Sequence, residues 1–210
     1  MSTDAFLSAA RAALALLRDP AVAAAWDKPS ALPEFGVAGL AGHLAYQILV
    51  VPEVLADPPP EEPRITLLDH YARAAWIDAG LDGEINIRIR DGGASLAADG
   101  SVALADRVEA ALDELSATLP GLQARNVRMR LWGSWSLTLD DLLTTRTMEL
   151  VVHADDLAVS AGIPTPEFTE DATAEVVDLL AALAARRHGP VALIRALSRA
   201  ERAPSTITAF

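Results

Sequence analysis

Apolar residues recur three and four apart along most of the chain, the spacing that lines one face of an α-helix. Phe6, Leu7, Ala10, Leu14 and Leu17 form the first such stripe, and Ser2-Thr3-Asp4 ahead of it supplies capping side chains for a helix running to about Arg18. Pro20 follows, then a loop with Trp26, Pro29 and Pro33. Val37, Leu40, Leu44, Ile48 and Val51 predict a second helix from near Gly36 to about Val51. The run Asp57-Pro58-Pro59-Pro60-Glu61-Glu62-Pro63 is barred from a helix interior or an inner strand, because proline lacks the backbone N–H both need. A third helix is expected from about Ile65 to Ala79, and a fourth from Ser101 to about Leu119, closed by Pro120-Gly121. A fifth runs from about Thr138 to Ala161 and stops at Gly162-Ile163-Pro164. Thr169 caps a sixth, to about Arg187, and Gly189-Pro190 opens a seventh, to about Ala200.

Strand signals are few. Between Gly80 and Gly100 the chain is polar and rich in turn dipeptides, and inside it Ile85, Ile87 and Ile89 alternate with Asn86, Arg88 and Arg90. That period of two predicts a short strand. Val127, Met129 and Leu131 alternate with Arg128 and Arg130 and predict another, and Ile207-Thr208-Ala209-Phe210 reads as a short edge strand. The fold class is mainly α: a helical bundle with additional C-terminal helices and minor short β-strands. No internal repeat divides the chain.

Composition narrows the function classes. Ala and Leu dominate, and aromatic residues make up 5% of the 210 positions, which favours helices over strands. Seventeen Lys and Arg against 29 Asp and Glu leave a net charge of −12. So acidic a surface repels phosphates, so neither nucleic acid nor an anionic membrane is expected as partner. No stretch of about 18 uncharged apolar residues predicts a membrane span. There is no cysteine. Disulfides, thiolate ligands and a cysteine nucleophile are therefore excluded, and any thiol chemistry must use a small molecule's sulfur. Met1-Ser2-Thr3-Asp4 shows no secretory signal, and the expected location is cytoplasmic.

The fifth helix carries the candidate chemistry. Leu139, Leu142, Leu143, Leu150, Leu157 and Ala161 share its apolar face, with Arg146 and His153 in the centre of that stripe and Glu149 and Asp156 on its flank. Buried ionisable groups need compensation, either by a metal ion or by a salt-bridge network of Arg146, Glu149 and Asp156. Glu149 and His153 are four apart, one turn along the same side, and can grip one ion. His43, on the second helix among the small residues Gly39, Ala41 and Gly42, completes a set of two histidines and one carboxylate. Three protein ligands leave one position open, as in a reactive zinc site.

Gly42-His43-Leu44 and the segment Thr145-Arg146-Thr147-Met148-Glu149-Leu150-Val151-Val152-His153-Ala154-Asp155-Asp156-Leu157-Ala158 resemble the mycothiol-dependent maleylpyruvate isomerase family, within the DinB-like superfamily of metal-binding four-helix bundles. Trp135 and Gly162-Ile163-Pro164 fit the same surroundings. The resemblance covers roughly residues 5 to 165 and is loose between 55 and 125. It implies a DinB-like bundle over 1–165, with His43, Glu149 and His153 as ligands of a divalent metal such as Zn²⁺. It also implies mycothiol as the thiol co-substrate, a small electrophilic substrate, and an actinobacterial setting. Residues 166–210 are expected to form a helical extension on the same domain, too short for the second domain of two-domain isomerases, so a broader thiol transferase is the reading adopted.

Around that set, Arg146 either binds a substrate carboxylate or phosphate or anchors Glu149 from one turn away. Asp156 is placed to orient His153. Trp135 and Gln47 are candidate cofactor contacts. Trp132, like Trp135, either walls a pocket or simply packs. Asp155 is expected to face solvent, and His70 and His188 to be ordinary. A hydrolase with water at the open position, a non-haem iron site, and a non-catalytic bundle stabilised by metal or by a buried network remain as alternatives. The chain is expected to act as a monomer or homodimer.

Overall fold

A computed structural model describes residues 2–210. Its α-helices are α1 (Ser2–Leu17), α2 (Pro20–Ala24), α3 (Val37–Ala56), α4 (Leu67–Tyr71), α5 (Glu84–Leu96), α6 (Ser101–Thr118), α7 (Leu139–Ala161), α8 (Glu170–His188) and α9 (Pro190–Ser198). Four of them close a ring: α1 and α3 each pack against both α6 and α7. The apolar stripes of these helices meet inside it, with Phe6, Leu40, Leu44, Ile48, Leu104, Leu115, Leu142, Leu150 and Leu157 fully buried. Burying one such side chain stabilises the fold by about 1.5–3 kcal/mol. α5 lies against α3, and α8 covers faces of α1 and α7.

Local sequence sets the helix ends. Thr138 Oγ1 accepts the Asp141 amide at 3.0 Å and starts α7. Gly162 ends it in the left-handed conformation, φ 71°, with the Ile163 amide returning to Ala158 O at 3.0 Å. Thr66 and Thr169 cap α4 and α8 in the same way as Thr138. α3 runs five residues beyond its expected end, straight through Pro52. By length and apolar content α3 also passes for a membrane span, with Glu53 its only formal charge. Here it is the central helix of the bundle, in contact with α5, α6 and α7.

Four sequence expectations are corrected. Residues 84–96 are helical, not a strand. Ile85 and Ile89 are one helical turn apart as well as an even number of residues apart, so either period fits them, and both face a cavity described below. Ile87, which only the strand would bury beside them, is 40% exposed. The third helix is confined to Leu67–Tyr71. Beyond it the Asn86 amide bonds the carbonyls of Trp76, Ala79 and Gly80, holding the chain in turns. The tail is not a strand: Ala209 and Phe210 pack into a side cluster with Tyr71, Met148, Val176, Leu179 and Leu183. The only sheet among the described residues pairs Asn126 with Thr138 and Val127 with Leu137, antiparallel. Met129 and Leu131 fall outside it because the chain turns there, Trp132 N donating to Met129 O at 3.0 Å.

Candidate metal centre and adjoining cavity

α3 and α7 bring His43, Glu149 and His153 together. One nitrogen or oxygen from each lies within 4.8 Å of the others. Glu149 Oε2 is 3.0 Å from His153 Nε2 and 4.0 Å from His43 Nε2. The two imidazole rings meet edge to face, 4.7 Å between centroids. All three side chains are 15–17% exposed. Bonds of about 2.0–2.1 Å to a tetrahedral zinc separate its donors by about 3.3 Å. The observed spacing brackets that value, and two imidazoles with one carboxylate are a donor set zinc takes, so the residues fit such an ion.

Why His43 comes this close is a backbone matter. Gly42 of α3 lies against Gly93 of α5 so tightly that a Cβ on Gly42 would overlap the Gly93 carbonyl. A Cβ on Gly93 would in turn strike Gly39 O and come within 3.1 Å of the His43 amide nitrogen. The small residues of α3 admit α5, and α5 fixes the turn that carries His43.

Neighbours then hold each group. Asp156 Oδ2 lies 3.0 Å from His153 Nδ1, so the carboxylate accepts from that nitrogen and turns Nε2 toward Glu149. Gln47 donates from Nε2 to His43 O at 2.9 Å, and its Oε1 accepts from Arg146 Nη1. Arg146 Nε donates to Thr145 Oγ1 at 3.0 Å. Arg146 and Gln47 are both buried. The anchor between Arg146 and Glu149 is not formed: the guanidinium reaches across to α3 instead, and acts on Glu149 only through its charge.

The electrostatics follow from that arrangement. Burial lowers the pKa of His43 to about 4, with the His153 charge adding to the effect, so His43 is neutral at pH 7. Burial also opposes charge on His153. The hydrogen bonds to Asp156 and Glu149 outweigh it, and the pKa rises to about 9. For Glu149, burial works to raise the pKa, but the bond to His153 and the positive charges nearby win and hold it well below the ordinary carboxylate range.

All three groups border a cavity of about 510 Å³. Its walls are mostly aromatic and aliphatic, including Phe35, Tyr71, Trp76, Trp132, Trp135 and Phe210. Trp135 stands in the loop between the two strands, where Gly133 leaves room for its ring. Its Nε1 donates to His70 Nδ1 at 3.1 Å, and Arg73 lies 5.6 Å above the ring.

The model of the mycothiol maleylpyruvate isomerase N-terminal domain matches residues 7–158. The chain belongs to that family. The match includes all of the bundle-forming helices α3 and α6, most of α1 and α7, and the full set His43, Glu149, His153 and Asp156. No curated protein and no solved structure matches the chain.

In this member of the family, Gln47, Trp135 and Arg146 line the cavity beside the three candidate ligands, and so does Trp132. Asp155 is exposed and accepts from the Thr165 hydroxyl, and His188 is on the surface with its Nε2 2.9 Å from Thr208 O. His70 is a correction. It is 5% exposed, it is the acceptor for Trp135, and it lines the cavity. Sequence offered one signal for it, the apolar and aromatic company in Leu67-Leu68-Asp69-His70-Tyr71, but the overlong third helix hid where that turn points. Tyr71, Trp76 and Phe210 were missed because only the tertiary fold gathers them.

Proposed function

We propose that this member of the mycothiol maleylpyruvate isomerase family is a metal-dependent enzyme of the S-transferase or isomerase type, in which the sulfur of an external low-molecular-weight thiol, mycothiol, attacks an electrophilic carbon of a second substrate. The observation that carries the reading is the triad of His43, Glu149 and His153 opening onto a large apolar cavity in a chain without cysteine. A zinc ion at the triad would supply one open coordination position, where a thiol with an ordinary pKa of about 8.5 is deprotonated near neutrality.

The chain's own groups prepare that position. His43 is already neutral and offers its nitrogen without losing a proton. His153 must release one, and Asp156 keeps Nδ1 protonated so that Nε2 is the free donor. The Arg146–Gln47 pair braces the turn of α3 through His43 O. The aromatic walls exclude water from the reacting carbon and so limit hydrolysis.

Metal content by mass spectrometry, on untagged protein beside His153→Ala, tests the reading first. About one zinc per chain, lost in the variant, is expected, followed by thiol transfer from mycothiol to electrophiles that stops when the metal is removed. Turnover with no thiol added would contradict it. A second reading has one observation in its favour: Asp156, His153 and Glu149 already satisfy one another without an ion. A chain that takes up no metal after reconstitution would establish that buried network as structural and remove the enzyme reading.

A further inference from the structure

The Gln47 side chain makes a third contact beside the two that brace α3. Its Nε2 lies 3.4 Å from His43 Nε2, the ring nitrogen that faces Glu149. Which end of a glutamine amide points where is decided by its partners. Arg146 can only donate, so the Gln47 atom bonded to it is Oε1, and the NH₂ end is left toward His43. One amide hydrogen goes to His43 O at 2.9 Å. The second is the one available to His43 Nε2, which must then accept. Glu149 Oε2 does not claim a proton from that nitrogen, because 4.0 Å is too long for a hydrogen bond. His43 is neutral at pH 7, its pKa lowered to about 4 chiefly by burial. A neutral ring that accepts at Nε2 carries its single proton on Nδ1.

Resting on the function proposed above, we infer that Gln47 is a positioning residue of the metal centre: it holds His43 in the tautomer whose Nε2 lone pair is free for an ion, and Arg146 locks the orientation of its amide. Asp156 reaches the same end on the other histidine by the opposite route. Asp156 keeps a proton on Nδ1 of His153 by accepting from it, whereas Gln47 keeps one on Nδ1 of His43 by donating to the nitrogen opposite. Gln47 is buried and tied at both ends of its amide, so the group cannot turn away. At 3.4 Å the contact to His43 is long and therefore weak. It selects the tautomer, and an arriving ion displaces only that contact and no proton from His43.

The test is the imidazole ¹⁵N spectrum of the full chain near neutral pH, metal-free and then zinc-loaded. With four histidines and only Gln47 and Gln123 as glutamines, the signals are few enough to assign one by one. In the metal-free wild type His43 is expected to show an unprotonated Nε2 and a protonated Nδ1. Gln47→Glu keeps an oxygen for Arg146 but offers His43 an acceptor in place of a donor, so the proton should move to Nε2 and the unprotonated signal should be lost. Gln47→Leu should release the ring into a mixture of both forms. On zinc loading of the wild type the Gln47 amide signals should shift while those of Gln123 stay. A glutamine that only braced α3 would leave the His43 spectrum of both variants as in wild type, and that outcome overturns the role. So does a protonated His43 Nε2 in the metal-free wild type, a result that needs no variant to fold. Failure to take up zinc sinks the proposed function and this role together. A zinc-loaded chain without thiol transfer sinks only the function, and zinc uptake by a chain whose empty form carries the proton on Nε2 sinks only the role of Gln47.

Discussion

His153 stands between two carboxylates, 3.0 Å from each, and their pull keeps it protonated to about pH 9 in the metal-free chain. A raised histidine pKa adds stability that is fully present below its unfolded value of about 6.5 and is lost as pH rises through 9. An ion competes with that proton. Zinc binding should release one proton at pH 7.5 and tighten roughly tenfold per pH unit toward pH 9, because His43 and Glu149 contribute none there. Calorimetry in buffers of different ionisation enthalpy reads the proton directly. Asp156→Asn replaces the acceptor on Nδ1 with a weaker one. Its zinc affinity should fall about 10- to 100-fold in chelator competition, and the melting temperature of the metal-free chain should fall too, because Asp156 is one of the two groups that raise the His153 pKa. An affinity equal to wild type would mean that Asp156 does not orient the ring. Residue types and spacing made the triad legible in the sequence, since i, i+4 positions on a helix share a side. His70 was not legible as a cavity residue, because its place there comes from its contact with Trp135, a property of the fold.

At the level of elements, the long helices were readable and the short ones were not. α1, α3, α6, α7 and α8 each bury a stripe of one period and carry a capping residue or stop signal. α5 misled because two glycines and isoleucines at every second position imitate a turn and a strand. In the fold Gly93 is not a turn residue but a contact point inside a helix. Gly93→Ala should destabilise the chain by about 1–3 kcal/mol, as overpacking does, and weaken metal uptake as well, because the new methyl presses on the turn of His43. Gly92→Ala is the control: nothing lies within 4 Å of a Cβ there, and the exchange should be neutral or slightly stabilising. Denaturant melts of the pair decide the matter, and equal midpoints would refute the contact argument.

Across the whole molecule, the cavity joins parts that are distant in sequence. α3, α4, α5 and α7 contribute walls, and Phe210 closes one side, 5.0 Å from Trp76 and 5.8 Å from Tyr71. Residues 166–210 therefore reach the site through their last residue, although the sequence shows them only as an extension. Phe210→Ala should shift Trp76 emission to the red and weaken apolar ligands, with a modest loss of stability, because Phe210 belongs to the smaller side cluster. An unchanged spectrum would show that the tail does not close the cavity in solution.

The meeting of Gly42 and Gly93 reaches beyond stability. Gly42 is blocked by the main chain of Gly93, and Gly93 chiefly by the Gly39 carbonyl and the His43 amide, so no second side-chain exchange can make room. Such a contact admits no compensating side-chain exchange, so an enlargement at either glycine is felt in full. Variation in this protein is channelled elsewhere: the aromatic wall can be resculpted residue by residue, while the seat of His43 stays where the two backbones put it. Selection for a new substrate thus has many routes here, and selection for a relocated His43 has none through this contact.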